Sequence, residues 1–326
     1  MTRRNRIALI ATAALMSVCI ARAQAQAPEQ WPTRTIHFVN PSAAGGGADI
    51  LIRWLAARVQ PLAGVPVVVE NKTGANANLA TEVVVGSKPD GYTVLFNSSS
   101  AVIANPFVMK DLNYDPDKDL APVASVFNMG LAFAVPPQTP ANNLQEFVEY
   151  LRKKKTPILY GVPVVSVLGA SALFQEMSKT TGTQVNYKTM ADALKDISGG
   201  DIDFGFIDAT LGVANAKSGR IKVFGVSPPS RLPSAPNVPT LAEAGLPGYS
   251  YVNFWAAWMP AGSPPQAIAK LQQWLNEVCN TQEAKDFFLA QSVEVAPSSA
   301  AKLRDMMKEH HQLWVGLAKA ANITPH

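Results

Sequence analysis

Three short loops carry residue types that could hold a small anion: residues 42–48 (SAAGGGA), 74–78 (GANAN) and 97–100 (NSSS). Each follows a run that reads as a strand, so in an open α/β sheet all three would lie outside the carboxyl ends of the strands, where such sheets bind their ligands. The first loop has the clearest physics. Gly45, Gly46 and Gly47 let the backbone approach a ligand closely, and the helix pattern that follows offers unpaired N–H groups at the positive end of its dipole. That is a site for a carboxylate or a phosphate. The same residues would also serve a tight strand-to-helix turn with no ligand, and the loop by itself does not choose. Asp208 ends the apolar strand of residues 202–207 and would point into the space between two lobes, either to accept a hydrogen bond from a ligand or to hold a loop. Asp49 and Arg53, spaced i and i+4, read as a helix-start acid with a surface ion pair.

Other chemistries lack their residues. Gly45-Gly46-Gly47-Ala48-Asp49 has neither the third spaced glycine of a dinucleotide fingerprint nor the lysine of a phosphate-binding P-loop. His310 and His311 are neighbours on a helix and point about 100° apart, which does not suit one metal ion. Ser98, Ser99 and Ser100 lack a G-x-S-x-G elbow, and no histidine stands in a comparable strand-end loop. No catalytic residue, metal or cofactor is therefore expected. Cys279 falls on the apolar face of a helix pattern with Leu271, Leu275 and Val278, as buried filler.

The elements that must position these loops follow from charge and period. Arg3, Arg4 and Arg6 open the chain, an apolar run follows, and Ala23-Gln24-Ala25 suits a signal peptidase, so residues 1–25 read as a cleavable export signal. The run is shorter than the roughly 20 residues a membrane span needs. Removing Arg3, Arg4, Arg6 and Arg22 takes the net charge from +4 to zero, which leaves no case for nucleic acid as a partner. Without Cys19 the mature chain has Cys279 alone, hence no internal disulfide. The remaining length, about 300 residues, suits two domains. Strand patterns at residues 35–40, 65–70 and 92–96 alternate with helix patterns at 49–60 and 79–86, a doubly wound α/β start. Residues 123–135 form a long apolar stretch able to cross between lobes. Beyond it, helices are expected at 144–153, 171–180, 191–197, 265–280 and 299–321, and strands at 158–160, 185–187, 202–207 and 223–227.

Seven motifs, in order, resemble one family. They are Pro41-Ser42-Ala43-Ala44-Gly45-Gly46-Gly47-Ala48-Asp49, Val69-Glu70-Asn71-Lys72-Thr73-Gly74-Ala75, Pro89-Asp90-Gly91-Tyr92-Thr93-Val94-Leu95, Tyr114 to Val123 (YDPDKDLAPV), Tyr187-Lys188, Pro236 to Gly245 (PNVPTLAEAG) and Pro260-Ala261-Gly262-Ser263-Pro264. The chain resembles the substrate-binding proteins of tripartite tricarboxylate transporters, the Bug-type periplasmic receptors. That resemblance implies a periplasmic binding protein of the type II-like Venus-flytrap kind, with two doubly wound α/β lobes and a ligand cleft between them. Residues 29–129 and 250–326 would form the first lobe and residues 130–249 the second. It implies a monomeric periplasmic receptor, with no activity as an enzyme, that captures a small carboxylate and passes it to a membrane permease of the tripartite type. A sensor of the same ligand, or an exported enzyme acting on it, is the alternative. Carried over position by position, the ligand contacts would be Ser42, Gly45 and Ala48, then Asn78 and Ser98, then Val165 and Ser166 in the facing loop after Tyr160, and Asp208.

Two departures from the family pattern carry information. Position 42 is Ser where the family usually has Phe. The facing loop, usually rich in Gly, Ser, Asn and Thr, is apolar here from Val162 to Leu168. Since buried apolar surface is worth about 25 cal/mol per Å², the exchange suggests a ligand with a larger apolar or aromatic body, such as an aromatic carboxylate. The competing expectation is that residues 162–168 pack inside the second lobe. Thr189 replaces a Gly that commonly follows Tyr-Lys, and weakens the analogy there.

Overall fold

The structure is a computed structural model and describes residues 31–325. The expected signal peptide, residues 1–25, and Cys19 lie outside the described residues. β1 (Ile36–Asn40) leads through α1 (Gly47–Ala63) to β2 (Val67–Asn71), and through α2 (Asn78–Val85) to β3 (Thr93–Ser98). β1 lies between β2 and β3, parallel to both, with Phe38 opposite Val69 on one side and Val94 on the other. Successive side chains of a strand point to opposite faces. Phe38 and Phe96 accordingly pack with Leu51, Ile52 and Leu55 of α1, while Val39 and Leu95 pack with Ala80 and Val84 of α2. Burial on both faces suits the runs Phe38-Val39 and Val94-Leu95-Phe96, whereas β2, at the edge of the sheet, leaves Val68 exposed although its apolar run reads as doubly covered.

The short helices α3 (Asn105–Val108) and α4 (Pro116–Asp119) precede β4 (Leu120–Met129) and β5 (Leu131–Val135). Then follow α5 (Leu144–Lys153), β6 (Leu159–Val162), α6 (Val165–Ser178), β7 (Thr183–Asn186), α7 (Met190–Gly199), β8 (Phe204–Asp208), α8 (Ala209–Lys217) and β9 (Lys222–Val226). The chain closes with β10 (Asn253–Pro260), α9 (Pro265–Cys279), α10 (Gln282–Ala290), β11 (Glu294–Val295) and α11 (Ala300–Ala320). Among the described residues the strands form two sheets, ordered β11-β4-β10-β3-β1-β2 and β7-β6-β8-β5-β9. Both are mixed: β10 runs antiparallel to β3 and β4, and β5 antiparallel to β8 and β9.

The apolar stretch 123–135 does cross between sheets, breaking at Gly130. The return crossing lies beside it: the Ser227 amide donates to the Leu131 carbonyl at 2.8 Å, and the Tyr251 amide to the Ser227 carbonyl at 2.9 Å. A third connection is helical. Leu303 and Met307 of α11 belong to the core of the first sheet, whereas Trp314, two turns on, belongs to that of the second.

Several helical features depart from the expectation. α6 begins at Val165 and not near residue 171, and the short α3 and α4 and the longer α8 and α10 are not among the expected helices. α6 is buried around most of its circumference, through Val167, Leu168, Ala170, Ala172 and Phe174. A helix enclosed in this way has no polar stripe from which to read its period, and its first turn is a Val-rich run that mimics a strand.

Candidate ligand-binding cleft

The glycine loop is built around Asp49. The backbone turns at Gly45, whose φ of 78° suits glycine, and the Gly46 amide returns to the Ala43 carbonyl at 3.0 Å. Asp49 itself is only 1 % exposed, which corrects the expectation of a surface ion pair. Its carboxylate accepts from the Gly45 amide at 2.8 Å, Arg53 Nε at 2.8 Å, Asn71 Nδ2 at 2.7 Å and Asn40 Nδ2 at 3.1 Å. Asn71 Nδ2 also donates to the Ser42 carbonyl at 2.8 Å. Burial by itself would raise the Asp49 pKa; the bonds from Arg53, Asn71 and Gly45 outweigh it and hold the carboxyl below its usual 3.8. Spacing i and i+4 signalled the Arg53 contact, but nothing local signalled Asn40 and Asn71, which reach Asp49 because β1 and β2 are neighbours.

The second loop is held in a costly backbone. After Gly74, three consecutive residues without a glycine among them adopt positive φ: Ala75 at 46°, Asn76 at 52° and Ala77 at 68°. Each such residue costs on the order of 1 kcal/mol and persists only where its surroundings enforce it. Two buried asparagines do so. Asn97 Nδ2 donates to the Ala77 carbonyl at 3.1 Å, and Asn105 Nδ2 to the Asn76 carbonyl at 3.2 Å. The third loop forms a hydroxyl cluster, with Ser98 Oγ 3.0 Å from Ser100 Oγ and Ser100 Oγ donating to Asn253 Oδ1 at 3.2 Å.

These second and third loops face the second sheet across a cavity of about 380 Å³. Ser98, Asn253 and Trp255 line it from the first sheet, and Val165, Ser166, Met190 and Asp208 from the second. Of the site residues expected from sequence, Ser98, Val165, Ser166 and Asp208 thus meet on one cavity. Ser42, Gly45, Ala48 and Asn78 are not on its wall. The first three follow β1, the strand beside β3, at the same carboxyl end of the sheet. Asn78 is 1 % exposed and donates to Glu82 Oε1 at 2.8 Å, behind the wall residues Asn76 and Ala77. Asn253 and Trp255 went unpredicted. Their signal is register, since Trp255 lies opposite Ser98 across the antiparallel β10–β3 pair. A hollow of about 440 Å³ beside Tyr160 and Gln175 holds none of the expected residues.

The segment 162–168 divides between its two expected roles. Val162, Val167 and Leu168 are buried in the core of the second sheet, while Val164 and Val165 face the cavity. Thr189 caps α7, its Oγ1 accepting from the Asp192 amide at 3.1 Å, a task a glycine side chain cannot perform. Neither late histidine sits in a polar cluster: burial beside Phe254 pushes the His310 pKa down to about 4, and His311 packs edge-on against Phe107.

The model of the tripartite tricarboxylate transporter family receptor matches residues 51–323. The chain belongs to this receptor family. A UPF0065 protein of Bordetella bronchiseptica is 32% identical over 321 residues, covering 97% of this chain and 93% of that one. Among solved structures, Rpa4515 of R. palustris with adipate superposes with a TM-score of 0.78 at 26% identity, over 91% of this chain and all (100%) of that one. The periplasmic binding protein BugD gives 0.74 at 26% identity, with the same coverage of 91% and 100%. As a member of a family of solute-binding receptors, the chain places its two sheets as the family does, with a cavity where they face each other.

Proposed function

We propose that this chain is an exported, periplasmic receptor that binds a small carboxylate with a sizeable apolar body and delivers it to a permease of the tripartite tricarboxylate type. One observation carries the reading: the hydroxyl and amide groups of Ser98, Ser100 and Asn253 face Val164, Val165 and Met190 across the cavity, with Trp255 on the first side and Ser166 and Asp208 on the second. Hydroxyls and amides hold a carboxylate without a fixed counter-ion, and Val164, Val165, Met190 and Trp255 would cover a hydrocarbon or aromatic body. Adipate, the dicarboxylate seen with Rpa4515, supports a carboxylate on a hydrocarbon body and does not bear on how many carboxylates this cleft accepts. Ser98 and Ser100 bond to each other, and Ser100 to Asn253; these hydroxyls are engaged with neutral groups and not with a base, and capture without turnover is the reading they favour. Ligand bound to both sheets would draw them together by its greater affinity for the closed state.

A thermal-shift panel of aliphatic and aromatic carboxylates on the mature protein tests this. A ligand at 100 times its dissociation constant adds about 2.7 kcal/mol of stability, so the melting temperature is expected to rise by several degrees, most for carboxylates with a large apolar body. A panel in which compact, wholly polar acids give the larger shifts would refute the apolar-body reading.

A further inference from the structure

The two sides of the cavity leave opposite demands unmet. On the first sheet, Trp255 is only 8 % exposed and its indole N–H, which can only donate, has no partner among the described residues. On the second sheet, Asp208 is, among the described residues, the sole charged side chain on the cavity wall. Its carboxyl has no hydrogen-bond or ion-pair partner among the described residues, and burial alone pushes its pKa above the usual 3.8. A partly buried carboxylate without a partner is unfavourable, and a ligand is what can supply one. Among the described residues, no lysine, arginine or histidine stands on the wall to neutralise a second negative charge beside it.

We propose that the cleft selects a ligand with one carboxylate, held on the Ser98 and Trp255 side, and a hydrogen-bond donor at the end that meets Asp208, and that it discriminates against dicarboxylates. The donor is an ammonium, an amide N–H or a hydroxyl. This rests on the receptor reading above and sharpens its ligand class. Two like charges crowded into one partly enclosed site repel, whereas a donor placed there gains a charge-assisted hydrogen bond.

Calorimetric titration with matched pairs tests it: 4-aminobutanoate against glutarate, and 4-hydroxybenzoate against terephthalate. Within each pair only the far end of the ligand changes. The wild-type protein is expected to bind the donor-bearing member of at least one pair about tenfold or more tightly than its dicarboxylate partner, a difference of about 1.4 kcal/mol. Asp208→Asn is expected to erase that preference by weakening the donor-bearing ligand and strengthening the dicarboxylate. Asp208→Glu, which keeps the charge, should retain the order. Equal or tighter binding of the dicarboxylates by the wild-type protein overturns the inference without recourse to any variant, and leaves the receptor reading standing. An unchanged ratio in a folded Asp208→Asn protein overturns it as well. If neither member of either pair binds, the inference falls, and the thermal-shift panel decides separately whether the receptor reading falls with it.

Discussion

Replacing Trp314 by alanine is expected to lower the unfolding free energy by about 3–5 kcal/mol, the range for truncating a fully buried large aromatic side chain. Trp314 is 0% exposed. It lies on α11, whose earlier residues Leu303 and Met307 belong to the first sheet's core, yet it packs in the core of the second. The fit around it is close. A Cβ on Gly169 would come within 2.7 Å of the Trp314 ring and 2.5 Å of the Tyr251 hydroxyl, so α6 approaches α11 only because residue 169 is glycine. Phe107 lies nearly parallel to the Trp314 ring, at 6.1 Å between centroids. Such a site has little freedom to collapse around the missing ring, which places the cost in the upper half of that range. Urea unfolding followed by circular dichroism reads the loss. A shift below about 1 kcal/mol would mean that α11 is loosely seated and does not join the two cores.

Asp49→Asn is expected to cost about 3 kcal/mol near neutral pH, the lower end for breaking a buried charge pair, because the partner Arg53 still reaches water. The variant keeps the shape but turns one acceptor into a donor facing Gly45, Arg53, Asn40 and Asn71, all of which donate to this carboxylate. The effect depends on pH in a definite direction. The folded-state pKa of Asp49 lies below its usual 3.8, so the stabilisation is complete above the unfolded-state value and is lost as pH falls through the folded one. Urea midpoints at pH 7 and near pH 3 should therefore show the gap between wild type and Asp49→Asn narrowing in acid. A gap independent of pH would show that the cost is steric.

Much of this fold was legible from period and punctuation. The run of residues 65–70 reads as a strand, although its place at the sheet edge leaves Val68 exposed, and the long apolar stretch of residues 123–135 reads as the crossing between the sheets. What was not legible depends on partners distant in sequence. Asp49 looked like a surface acid because its spacing to Arg53 is local information; its burial comes from Asn40 and Asn71, which only strand pairing brings near. The start of α6 was hidden by Val164, Val165 and Val167, β-branched residues that favour strands until a helix is enclosed on all sides. For the cleft, the strand-end rule found the loops at residues 74–78 and 97–100, but Trp255 sits mid-strand on β10, where no loop signal exists. Asp208 could be expected on the cavity wall because an acid closes an apolar strand there.

The claim on which the account turns is that the cavity between the two sheets is where the ligand sits. A crystal structure of the mature protein with the carboxylate that gives the largest thermal shift tests it most directly. The expected result is ligand density touching Ser98 and Trp255 from one sheet and Ser166 and Asp208 from the other, with the two sheets drawn closer. Ligand seated in the hollow beside Tyr160 and Gln175, with the cleft empty, would contradict it.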